Sequence, residues 1–144
     1  MKTYFTPEEA NALLPQIREE LAALQLLKRR FEIKYRELKA LRSAAGKAAA
    51  LPAGDDPYFA LECELEFMQL EANTMLKSFQ LKGVQLKDID RGLVDFPTRI
   101  DGREALLCWM LGEDRVEHYH GLHDGFAGRR KLRPNSDDET GKEI

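Results

Sequence analysis

Three observations predict a mainly α (α+β) fold: a long antiparallel helical hairpin with a small antiparallel β-sheet subdomain packed at one end. Apolar residues recur at steps of three and four from Leu14 to Leu41. After a break rich in glycine and proline, the same spacing returns from Leu61 to Phe79. Past Gly83 the period shortens towards two, and turn dipeptides appear. The 144 residues suit a single domain over 1–132, with the hairpin in 5–82, a loop near 43–57 and the β subdomain in 83–130.

The first helix has a strong start in "TPEE". Thr6 can cap it, Pro7 suits the first helical position, and Glu9 completes a capping box. Pro15 lacks an N–H and crowds the preceding turn, so a short helix over 7–13 and a kink or restart at Pro15 are expected. Beyond it Leu14, Ile17, Leu21, Leu24, Leu27, Phe31, Tyr35, Leu38 and Leu41 share one face. The stretch "SAAGKAAALPAGDDP" then reads as a connector. Leu61, Leu65, Met68, Ala72, Met75 and Phe79 form the face of the second helix, with Gly83 as its stop. Charge supports antiparallel pairing. Lys28, Arg29, Arg30, Lys34, Arg36, Lys39 and Arg42 would lie beside Asp55, Asp56, Glu62, Glu64, Glu66 and Glu71.

The β region follows. "VQLKDI" alternates, "GLVDFP" is short and ends at Pro97, Asp101-Gly102 is a two-residue hairpin turn, and "EALLCW" is a buried strand. "DRVEHYH" is a short strand or a helical turn. About three strands are expected, too few to stand alone. From 133 the chain is polar and reads as a disordered tail.

Bulk properties narrow the function classes. A net charge of −3, with the basic stretch already partnered by an acidic one, argues against nucleic-acid binding as the role. No apolar run reaches the roughly 20 residues of a membrane span, and the N-terminus has no signal-like core. Cys63 and Cys108 sit among apolar neighbours without Cys-x-x-Cys spacing, and read as buried free thiols of a cytoplasmic protein.

The chemistry-bearing residues crowd into "EHYHGLHDGFAGRR" and the strands before it. His118, His120 and His123, with Glu113, Glu117 or Asp124, offer ligands for a divalent metal. Their spacing matches no established zinc pattern, and a polar turn is the plainer reading. In "GFAGRR", Gly125 and Gly128 with Arg129 or Arg130 could cradle a phosphate or carboxylate. The plainer reading there is a tight turn, with Phe126 in the core and an arginine paired to a carboxylate. Of Asp88, Asp90, Asp95, Asp101 and Glu113, Asp95 is the most informative, because it interrupts the apolar "LVDF". Alternation points it to solvent; the other option is burial beside Arg91 or Arg99. Trp109 is expected to pack the sheet on the helices. No serine or cysteine stands in a nucleophile elbow.

Taken together, "FTPEEANALLP", "GVQLKDIDRGLVDFPTRIDGREALLCWMLGE" and "YHGLHDGFAGR" resemble a family of small bacterial proteins, domain of unknown function 2203. The resemblance covers nearly the whole chain apart from the connector and tail. It implies shared positions at Arg91 to Pro97, Leu107, Cys108, Trp109, Gly112, Glu113, Tyr119, His120, Gly125, Phe126, Ala127, Gly128 and Arg129. It also implies that His120 alone of the three histidines is shared. Tyr119 stands where tryptophan is common, and His123 where an acidic residue is.

Two functions are therefore expected in order. The first is a non-catalytic binding or scaffolding module that self-associates through its hairpin as a homodimer, and meets a further protein partner. The second is a metal- or anion-dependent small-ligand site, or a hydrolase-like enzyme, at the β end. Its candidate ligand residues are Asp95, Glu113, His120 and Arg129. A divalent cation would fall to His120, Glu113, His118 and His123.

Overall fold

The computed structural model describes residues 3–45 and 56–133. The chain is α+β, with two helices and a five-stranded antiparallel sheet. Helix α1 spans Pro7–Ala45 and α2 spans Pro57–Lys82. The strands are β1 (Gln85–Asp88), β2 (Leu93–Ile100), β3 (Arg103–Met110), β4 (His118–Gly121) and β5 (Arg130–Lys131). They follow one another in space as β1-β2-β3-β4-β5. Of the expected connector near 43–57, residues 43–45 belong to α1 and Pro57 opens α2, while 46–55 lie outside the described residues, as does the expected tail beyond 133. Among the described residues no helix is long and apolar enough to cross a membrane.

Local signals place both helix ends. The Thr6 amide donates to Glu9 Oε1 at 2.9 Å and the Glu9 amide to Thr6 Oγ1 at 3.1 Å, which closes the capping box. Asp56 Oδ1 accepts from the Tyr58 amide at the start of α2. At its end the Val84 amide reaches Phe79 O and the Gly83 amide reaches Gln80 O, a Schellman closure.

The expected break at Pro15 does not occur, because α1 runs through it. Ala10, Leu14, Ile17 and Leu21 are at most 2% exposed and lie on both sides of the proline. Burial of that continuous face offsets the roughly 3 kcal/mol a helix-interior proline costs.

The molecule divides into two compact units, Met1–Ala22 with Leu76–Ile144, and Ala23–Met75. The division cuts both helices, at 22/23 and 75/76. In the Ala23–Met75 unit, Leu38, Leu61 and Leu65 form a buried cluster flanked by Phe31, Leu41 and Tyr58. Arg42 pairs with Glu62 at 2.6 Å and Lys34 with Glu64 at 3.3 Å, so part of the charge complementarity is realised.

The other unit holds the sheet. β2 and β3 pair from Leu93↔Met110 to Ile100↔Arg103 around the Asp101-Gly102 turn, where both residues have positive φ (54° and 75°), as a type I′ turn requires. Three expectations are corrected here. The sheet has five strands rather than about three, because β5 is two residues long and both its residues are charged, so no apolar pattern announces it. β2 also does not stop at Pro97 but continues to Ile100. Pro97 lies past the end of β1, on an edge where its missing N–H breaks no ladder bond. The Phe5 amide donates to Pro97 O there at 2.7 Å, and Thr98 Oγ1 donates to Phe5 O at 2.6 Å. Finally, Cys63 is half-buried rather than buried, whereas Cys108 is fully enclosed.

One sheet face carries Val94, Phe96, Leu107 and Trp109, all fully buried. Phe5 meets Phe96 edge-on, and the Arg18 guanidinium of α1 lies 5.6 Å from the Trp109 ring centre. The Asn11 side chain accepts from the Val116 amide at 2.7 Å and donates to Pro7 O at 2.9 Å. The opposite face is where the chemistry collects.

Candidate functional site

Strand register builds the site. Gln85, Asp95, Cys108, His118 and Lys131 oppose one another across all five strands, and His120 opposes Leu106. Cross-strand partners share a face, and so do residues two apart along a strand. Asp95, Cys108, His118 and His120 therefore project to the same side of the sheet.

Asp95 is 2% exposed, so the expectation that alternation points it to solvent is wrong. β2 is buried on both faces from Leu93 to Thr98, so its inner and outer positions alike leave water. Nor does an arginine neutralise it as the other option had it. Its Oδ2 lies 3.2 Å from His120 Nε2, while Oδ1 is buried without a hydrogen-bond partner.

The geometry constrains the protons. His120 Nδ1 is 2.8 Å from Gly121 O, which can only accept. Nδ1 must therefore carry the hydrogen, leaving Nε2 as the nitrogen that faces Asp95. A bare Nε2 lone pair against a bare carboxylate oxygen would be repulsive. A positive species must sit between them, a proton at the least.

Cys108 completes the group. Its Sγ, one Asp95 oxygen and one His120 nitrogen lie within 4.8 Å of one another, and all three residues are buried. Burial pushes the Cys108 thiol up to about 12, and the Asp95 charge adds to this. A thiol so placed is no free nucleophile. Cys108 was read from sequence only as a buried free thiol. The signal available was its position in a strand apolar at every step, which matches that of Asp95 in β2.

Glu113 and Arg129 form a second pair. Arg129 donates to Glu113 Oε2 at 2.6 Å, and Glu113 Oε1 accepts from the Met110 amide at 2.8 Å. The Glu113 carbonyl accepts from Trp109 Nε1 at 2.9 Å. Both oxygens of this carboxylate are thus engaged in holding the turn after β3. His118 Nδ1 lies 3.8 Å from Glu113 Oε2 and makes no hydrogen bond. Burial and the Arg129 charge hold the His118 imidazole below the ordinary histidine value, outweighing Glu113 and Glu117. His123 is exposed and stands apart from both pairs.

The glycine-rich turn has a structural explanation. The Gly121 amide donates to Asp124 Oδ2 at 3.1 Å, and Asp124 tucks between Gly121 and Gly128. A Cβ on either glycine would meet an Asp124 atom at 2.7 Å. The Phe126–Gly128 3₁₀ turn does not plug Phe126 into the core as expected. The ring is half-buried, with the Arg91 and Arg129 guanidinium carbons each 4.7 Å from its centre. Arg129 thus joins the Glu113 carboxylate to this cation–π stack.

The four residues proposed from sequence as a ligand site therefore fall into two pairs, Asp95–His120 and Glu113–Arg129, flanking Cys108. His120 also forms part of the wall of an open cleft of about 480 Å³, with Tyr119, Asp124 and Arg130.

No curated protein and no solved structure matches the chain. Residues 3–132 match the family model described as Uncharacterized conserved protein (DUF2203), and the chain belongs to that family.

Proposed function

We propose that the protein is a non-catalytic binding or scaffolding module, and that α1 and α2 form an antiparallel hairpin through which two copies associate. The side-chain pairs within each unit support the hairpin. In the Ala23–Met75 unit Lys34 with Glu64 and Arg42 with Glu62 run in opposite sense along the two helices, and in the other unit Glu20 of α1 pairs with Lys82 of α2. The observation that carries self-association is a second apolar stripe. On α2, Phe59 (66% exposed), Phe67 (75%) and Leu70 (63%) share one side, roughly opposite Leu61, Leu65 and Met68. On α1, Leu26 and Ile33 do the same, opposite Leu24, Leu27 and Leu38. A helix apolar on two sides needs two neighbours.

A second copy fits the stripe by charge. Arg29 and Arg30 border Leu26 and Ile33, whereas Glu66 borders Phe67 and Leu70. Two-fold pairing would bring the basic stripe of one copy against the acidic stripe of the other. Size-exclusion chromatography with light scattering tests this on the full chain. A dimer at micromolar concentration that becomes monomeric on Phe67→Ser is expected. A clean monomer of the unsubstituted chain at high micromolar concentration overturns it. The free thiols Cys63 and Cys108 support a reducing, cytoplasmic setting.

One observation favours a second reading, a metal- or anion-dependent site on the sheet. Asp95 Oδ1, His118 Nδ1 and Arg129 Nε are all buried without hydrogen-bond partners. A thermal shift on adding zinc, manganese or inorganic phosphate tests that reading; no shift with any of them counts against it.

A further inference from the structure

We infer that Asp95, Cys108 and His120 are the ligands of a zinc-class divalent metal ion, bound through Asp95 carboxylate oxygen, Cys108 Sγ and His120 Nε2. This makes the sheet-site reading specific, rests on it, and replaces the sequence-based set in two ways. Asp95 and Cys108 enter, and Glu113, His118 and His123 leave.

Four observations converge. The first is proximity. The three donor atoms lie within 4.8 Å of one another. Zinc bonds of about 2.0–2.3 Å place tetrahedral ligands about 3.6 Å apart, so no pair has to close by more than about 1.2 Å. His120 and Asp95 are already at 3.2 Å.

The second is orientation. Metal-bound imidazoles characteristically donate their other N–H to a carbonyl or carboxylate, which fixes the ring. His120 does this through Nδ1 to Gly121 O, and Nε2 is left aimed at Asp95.

The third is an unmet demand. Asp95 is buried, and its Oδ1 has no hydrogen-bond partner. A buried carboxylate oxygen costs several kcal/mol of desolvation unless something positive answers it. Arg129, the nearby cation, is already committed to Glu113 at 2.6 Å.

The fourth is charge. One thiolate, one carboxylate and one neutral imidazole sum to −2. A divalent ion makes the group neutral, the only overall charge an enclosed site holds cheaply. On binding, the thiol proton and the proton between Nε2 and Oδ2 leave to solvent. The thiolate selects zinc, cobalt or a similar ion over magnesium or calcium, which take oxygen ligands. A fourth coordination position remains for water, and of the three ligands His120 lines the neighbouring cleft.

Cobalt(II) is the probe, because it takes zinc's tetrahedral place and absorbs visible light. It is added to the purified, untagged full chain carrying Cys63→Ser, which leaves Cys108 as the single thiol. The expected result is a thiolate-to-cobalt charge-transfer band with strong tetrahedral d–d absorption, displaced by zinc. Asp95→Asn and His120→Gln should each weaken binding at least tenfold. Absence of the charge-transfer band in the Cys63→Ser chain overturns the proposal, without relying on any substitution in the core. If phosphate shifts the melting temperature while cobalt gives no band, the metal inference fails and the sheet-site reading survives. If neither responds, both fall.

Discussion

Phe67 is 75% exposed on α2, whereas Asp95 is 2% exposed in β2. The two units of this protein depart from ordinary burial in opposite directions. The Ala23–Met75 unit leaves Leu26, Ile33, Phe59, Phe67 and Leu70 in water around a small buried cluster of three leucines. The sheet unit takes Asp95, Thr98 and His120 inside. Thr98 is satisfied by Phe5 O, but Asp95 is not fully satisfied. Each departure costs free energy in the isolated chain. The comparison teaches that the unmet side chain names the missing neighbour. Apolar surface calls for another protein surface, and an unpaired buried carboxylate calls for a cation.

The two cysteines sharpen this contrast most strongly. Cys63 is half-buried in the helical unit, and Cys108 is enclosed beside Asp95. With its thiol at about 12, Cys108 should hold about a thousandfold less thiolate than an ordinary cysteine. Labelling with a disulfide reagent should therefore modify one thiol per native chain quickly and the second only on unfolding. Equal rates for both would place Cys108 in contact with solvent.

The next largest effect concerns the buried pair. His120→Leu removes the imidazole that faces Asp95 Oδ2 and should cost about 3–5 kcal/mol in urea unfolding. Replacing both residues by leucine should recover at least half of that loss, because no unpaired charge remains. A double variant as unstable as the single one would show that the pair holds the fold together.

The smallest effect comes from a site between these extremes. Glu20 accepts from Gln16, Ser78 and Lys82, at 2.9 Å from each. Burial pushes its carboxyl up, but these hydrogen bonds outweigh it and leave the value below 4.5. A carboxylate lowered in the folded state contributes stability that is full above its unfolded value. That contribution is lost as pH falls through the folded one. Glu20→Gln should lower stability by about 1 kcal/mol at pH 7, with the difference closing in acid below 4.5. A difference independent of pH would assign the effect to packing.

Much of the architecture was legible in local chemistry. Thr6 and Glu9, Gly83, and Asp101-Gly102 act within a few residues, so their roles follow from the string itself. Pro15 and Pro97 misled because their effect depends on distant partners. One is held helical by a buried face, and the other lies on an edge beside Phe5. Asp95 misled for a related reason. Period-two alternation assigns a face, but not whether that face is covered. Whether it is covered depends on contacts distant in sequence, which no local pattern announces.

The amino-acid sequence by itself determined the helices, the turn types, the β2–β3 hairpin and membership of the family, because each follows from short-range spacing or direct likeness. Only the tertiary structure decided that Cys108 joins Asp95 and His120, and that Glu113 is spent on Arg129 and the Met110 amide. Strand register brings residues 95, 108 and 120 together across loops, and register is set by the pairing of whole strands. No window along the chain contains all three.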